Sequence, residues 1–157
     1  MDDAVEPGPS IQERYFAELM GFGCGPKNEK GLRIRSYPAA DGSVRATFLP
    51  WPEHDNGLGF LNGGIISTVL DCHSAAAVLH EADLRGWKPC EGLPLSYVTA
   101  GLDVRYLRPS PLREECELVA RVVEADEARM IAVAELVHDG KVRASATAEW
   151  KRWRPRP

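Results

Sequence analysis

The sequence has little that would tie it to nucleic acid, a membrane or a resident metal. Its 19 basic residues are outnumbered by 23 acidic ones, for a formal net charge of -4. That balance gives no general attraction for a polyanion or an anionic bilayer. No basic patch with interleaved aromatics precedes the last residues, KRWRPRP, so 151–157 reads as a solvated basic tail. No run reaches the roughly 18 consecutive apolar residues that a spanning helix needs. The opening MDDAVEPGPS has neither the basic start nor the apolar stretch of an export signal, and residues 1–9 read as a flexible N-terminus. Cysteines stand at 24, 72, 90 and 116 without a CxxC, and no HExxH or compact ligand cluster occurs. The expectation is free thiols, a reducing cytoplasmic setting and no metal, although an even cysteine count still permits a bridge.

What is present suits one packed domain over residues 10–150. The chain has 157 residues, 44% of them hydrophobic, which is enough for a real core and short for two. Ser10 can cap a helix over IQERYFAELMGF, ended by Gly21 and Gly23. GLRIRSYPAADGSVRATFLP reads as two strands turning at Asp41-Gly42, and WPEHDNGLGFLNGG as a glycine-rich loop. From Ile65 to about His80 the length and content are helical, and apolar residues cover nearly every face. Four more strands follow at 98–107, 115–124, 129–138 and 142–150, the last two joined at Asp139-Gly140. The pattern implies an α+β fold in which a strongly curved antiparallel sheet of about six strands wraps one long central helix.

Within GFLNGGIISTVLDCHSAAAV the single acid is Asp71. A buried carboxylate is costly without donors, a partner or a cleft, so it is a candidate functional group, with a loop-tied structural aspartate as the alternative. The helix would begin near Asn62-Gly63-Gly64, where glycine admits close main-chain approach and exposed N–H groups suit a polarised carbonyl. Asp71 then stands two turns on, roughly 11 Å along the axis. Cys72 and His73 adjoin it, but neighbouring helical residues diverge by about 100°, which argues against a nucleophile triad.

The segments HDNGLGFLNGGIISTVLD and YVTAGLDVRYLRP resemble the hotdog-fold acyl-CoA thioesterases of the phenylacetate-pathway (PaaI-like) type, over about residues 45–150. The resemblance implies hydrolysis of acyl-CoA or aryl-CoA thioesters, with Asp71 as general base or nucleophile. It implies that Gly63 or Gly64 polarises the thioester carbonyl, that Asn56 orients the carboxylate or water, and that Thr99 from the partner subunit positions water or Asp71. Where the family has His before Gly-Gly, this chain has Asn62, which cannot take up and release a proton near neutrality. His54 and Arg108 are further candidates for substrate contact, His54 also as a loop brace; Arg113 and Lys88 share with Arg108 the chance of meeting CoA phosphates. No cofactor is implied beyond the coenzyme A of the substrate. A homodimer or a homotetramer (dimer of dimers) is implied, without nucleic acid or membrane partners. The alternatives are a non-catalytic acyl-CoA-binding hotdog protein and a hotdog hydratase or dehydratase.

Overall fold

The computed structural model describes residues 8–157, so all but the last two residues of the expected flexible N-terminus lie outside the described residues. Ser10 starts α1 (Ile11–Phe16) with a reciprocal capping box to Glu13. The helix is shorter than expected, and residues 17–31 run irregularly, turning back on themselves where the Gly25 N–H donates to the Gly21 carbonyl at 2.8 Å. β1 (Tyr37–Pro38) and β2 (Val44–Phe48) form the first hairpin, with Gly42 at φ 82 in its turn. α2 (Gly63–Leu84) is longer than expected at both ends. β3 (Tyr97–Tyr106), β4 (Cys116–Ala125), β5 (Arg129–His138) and β6 (Lys141–Arg152) follow. Asp139 and Gly140 both take positive φ, 55 and 68, as a tight two-residue hairpin requires.

The strands form one antiparallel sheet in the order β1-β2-β4-β5-β6-β3. This corrects the expected architecture. The sheet is open, neither closed nor strongly curled, and ends in two different edges, β1 and β3. It lies along α2 rather than wrapping it, with β2 to β6 against the helix. The all-round apolar pattern of α2 has another cause: its flank away from the sheet is covered by the N-terminal segment. Gly23 sits so close to Cys72 that a Cβ would fall 2.1 Å from its sulfur.

Alternation selects the sheet face that meets the helix. Ala120, Ala132, Ala134, Ala144, Ala146 and Ala148 are all buried, and cross-strand pairing sets Ala132 against Ala148 and Ala134 against Ala146. Small side chains at the sheet centre let α2 approach closely. Bulk is supplied around them by Leu70, Leu118, Met130 and Leu136, each at 0% exposure.

A buried polar chain fastens the three layers. His73 is fully buried; its Nε2–H donates to the Val44 carbonyl at 2.9 Å, which fixes the tautomer, so Nδ1 accepts from the Ser36 hydroxyl at 2.9 Å. Gln12 closes the set, donating to Ser36 Oγ at 2.9 Å and accepting the Ser36 N–H at 2.7 Å. This set of bonds links α1, the run before β1, α2 and β2. Burial pushes the His73 pKa down from 6.5 to about 4. The unfolded chain therefore takes up this proton first. The stabilisation is complete above about pH 6.5, is lost as pH falls toward about 4, and declines no further below that. At about 1.4 kcal/mol per pH unit the loss amounts to about 3 kcal/mol. Urea unfolding across this window, compared between the native chain and His73→Leu, checks it: the variant is less stable at neutral pH and lacks this component of acid sensitivity.

Candidate functional site

Asp71 lies halfway along α2 and is half-buried, on the flank facing the N-terminal segment. It opens into an apolar cavity of about 160 Å³ whose walls include Phe16, Leu19, Cys24, Leu79, Tyr97 and Trp150. Thr99 Oγ1 donates to Asp71 Oδ1 at 2.8 Å. Among the described residues no other side chain or main-chain group hydrogen-bonds the carboxylate, so Oδ2 keeps its lone pairs for a ligand. Burial raises the Asp71 pKa above the ordinary carboxylate value and the Thr99 hydrogen bond works against it. A carboxylate in this condition is a stronger base than one in water.

Thr99 reaches Asp71 because β3 is irregular there. Thr99 pairs with Trp150 and Gly101 with Glu149, leaving Ala100 as an extra residue. Such a bulge re-aims the neighbouring side chain. Here donor and acceptor belong to the same chain. Gly101, a glycine inside a strand pattern, is the sequence signal that marks the bulge.

The helix start has a different design. Asn62 is the N-cap, and its Oδ1 accepts from Gly64 N–H at 2.8 Å and Ile65 N–H at 3.2 Å. The cap therefore occupies the Gly64 donor, and the Gly63 N–H makes no hydrogen bond among the described residues. Tyr106, present in the sequence motif but given no role by it, pins this turn. Its hydroxyl donates to the Gly63 carbonyl at 2.8 Å and stands 2.7 Å from Ser67 Oγ. Gly63, Tyr106, Asn56 and Arg108 line a second cleft of about 470 Å³ with Phe60 and Ile66. Asn56 Oδ1 is taken up by the Leu58 and Phe60 N–H groups, while Arg108 Nη1 donates to the Val142 carbonyl at 2.8 Å.

His54 is 5% exposed, its Nδ1 accepting the Trp51 N–H at 2.9 Å, with its ring stacked on Trp51 and Phe48. The structure thus sets it as a brace inside the loop. Asp103 and Arg105 form an exposed ion pair at 3.0 Å, and Arg152 is folded against Tyr97 and the Lys88 carbonyl, so β6 absorbs the first two residues of the expected tail. Asp71, held by Thr99, lines one cavity, and Gly63 with Asn56 and Arg108 lines another. The N-terminal wall of the Asp71 cavity combines Phe16 and Leu19, from the stretch expected as one helix, with Cys24 from the irregular run that follows. No group of three or more potential metal-ligating side chains occurs, and no helix is long and apolar enough to cross a membrane, among the described residues.

Comparison with solved structures agrees with this architecture. A phenylacetic acid degradation-related protein from Ralstonia eutropha JMP134 superposes with a TM-score of 0.67 at 25% identity, covering 87% of this chain and 98% of that one. A thioesterase superfamily protein from Shewanella loihica PV-4 gives 0.61 at 26% identity, over 77% of this chain and 91% of that one. A Bacillus halodurans protein solved with CoA shares the fold, with a TM-score of 0.62 at 23% identity over 80% of this chain and 77% of that one. No curated protein matches the chain. The family model described as the thioesterase-like superfamily matches residues 67–150, a span that holds both Asp71 and Thr99 and more than half of the sequence. With its helix-and-sheet hotdog fold, the chain belongs to the thioesterase-like superfamily.

Proposed function

We propose that the protein hydrolyses acyl-CoA or aryl-CoA thioesters to the free acid and CoA, with Asp71 as general base. The observation that carries the reading is a half-buried carboxylate with one donor, Thr99, and one uncommitted oxygen beside an apolar cavity. The acyl group occupies that cavity. Asp71 takes a proton from water as the water oxygen attacks the thioester carbon. The resulting oxyanion is held by the Gly63 N–H at the positive end of α2. Collapse breaks the carbon–sulfur bond, and the departing thiolate recovers the proton from Asp71.

In one chain Gly63 and Asp71 line different cavities, so the working site needs a second copy. β3 is an edge strand paired only with β6, and its exposed side chains include Val98 at 40% and Leu102 at 36%. A long unpaired edge of this kind is a template for pairing with an identical strand. The functional unit is accordingly a cytoplasmic homodimer of single domains spanning residues 10–150, able to pair again into a tetramer. Arg108 at the helix-start cleft takes a CoA phosphate. A second reading, binding without turnover, draws on one observation: Asn62 occupies the Gly64 donor.

Thioester loss from a panel of aliphatic and aromatic acyl-CoAs separates the two. Asp71→Asn is expected to abolish turnover while retaining fold and self-association. Binding with no turnover in the native chain and in Asn62→His would overturn the enzymatic reading.

The acid limb of the rate profile supplies a second check. Activity falls as pH drops through the raised pKa of Asp71. Thr99→Val removes the hydrogen bond that lowers this pKa, so its acid limb moves to higher pH. An unmoved limb would exclude Asp71 as the titrating base.

Asn62→Ala tests the cap. Two helix-start N–H groups lose their acceptor, which costs about 1 kcal/mol in urea unfolding. Turnover per folded molecule stays close to the native value if Gly63 alone polarises the carbonyl, and rises if the released Gly64 N–H joins it.

A further inference from the structure

Residues 17–31 meet α2 most closely at Gly23, where a Cβ would lie 2.1 Å from Cys72 Sγ and 3.1 Å from Cys72 Cβ. Only glycine permits that approach, and it brings the next residue, Cys24, beside Cys72. Both cysteines are free, both are partly exposed, and both line the cavity that holds Asp71. The fold brings them together from distant parts of the chain, one on the N-terminal segment and one on α2.

The two sulfurs are not equivalent. The Cys72 thiol beside it holds the Cys24 pKa below the usual thiol value, against burial and the charge of Asp71. Cys72, beside Cys24 and partly buried, is pushed well above it. Thiolate character therefore concentrates on Cys24. The other thiols are placed differently: Cys116 is fully buried, its pKa raised to about 11 by burial, and the Cys90 sulfur lies 4.0 Å from the Trp153 carbonyl.

We propose that Cys24 and Cys72 form a hydroperoxide-reactive dithiol site, whose oxidation to a disulfide fastens the N-terminal segment to α2 beside Asp71. The Cys24 thiolate attacks one peroxide oxygen; the O–O bond breaks and hydroxide leaves, taking the Cys72 proton to become water. The Cys72 sulfur then attacks the sulfur of the Cys24 sulfenic acid and the S–O bond breaks. The second hydroxide takes up the proton that Cys24 released on ionising. Two electrons pass from the sulfurs to the peroxide, giving one disulfide and two waters. The bond tethers the wall that carries Phe16, Leu19 and Cys24, so the cavity can no longer open by movement of that wall.

The test is peptide mapping of the full chain after hydrogen peroxide treatment, alkylation and non-reducing digestion. The expected product is lighter by two hydrogens, joins the Cys24 and Cys72 peptides, leaves Cys90 and Cys116 alkylated, and reverts with a thiol reductant. It also resists proteolysis within 17–31 and unfolds at a higher temperature than the reduced chain. In Cys72→Ser, dimedone traps a sulfenic acid at Cys24; in Cys24→Ser, no sulfenic acid forms at Cys72. Oxidation that starts at Cys90, a bridge to any other cysteine, or a native chain whose Cys24 and Cys72 remain alkylatable would overturn the proposal. The native-chain mapping decides the matter even where a variant folds poorly, and none of these readouts depends on thioester turnover.

Discussion

A helix without a polar face must be covered on every side, and the rest of this molecule follows from that constraint. α2 carries apolar or small residues around nearly its whole circumference, so one sheet face cannot bury it alone. The alanine-lined face of the sheet takes one flank and the irregular N-terminal segment takes another. The seam between these two covers is where Asp71 opens to its cavity.

Two ionisable groups two residues apart on this helix show how location divides structural from chemical duty. His73 points into the packed side, both ring nitrogens are bonded, and burial keeps it neutral near pH 7. Asp71 points into the seam, where it has one donor and an oxygen to spare. A buried group with every bond made resists change and specifies packing. A group left incomplete is available to a ligand. The helix start adds a related economy: Asn62 satisfies two N–H groups by itself, with Tyr106 steadying the turn from the sheet.

Much of this was readable in the residues, and the unread part has physical causes. The long helix and its four following strands declared themselves through apolar period and turn pairs, Asp139-Gly140 most plainly. The lone acid in an apolar run marked Asp71. The wrapped sheet was wrong because periodicity reports that a surface is buried without saying what buries it. The missing cover, residues 17–31, begins in a stretch that reads as helix through Phe22 but folds irregularly; its path depends on glycines that allow backbone to touch backbone and helix. The contact between Thr99 and Asp71 needed a one-residue bulge, which only Gly101 hinted at. The buried stacking of His54 depends on Trp51 and Phe48 converging in a loop, a tertiary event that no local pattern encodes.

The strand order has a consequence for how the chain reaches this state. β3 pairs only with β6, with β4 and β5 between them in the sequence, and β2 waits for β4 across the whole length of α2. Local contacts can form the helix and the β5–β6 hairpin quickly, but the long-range pairings pay their loop-closure entropy late. Any state in which β6 is unpaired leaves α2 short of part of its cover, so the molecule's exposure to aggregation is tied to the slowest of its long-range strand pairings.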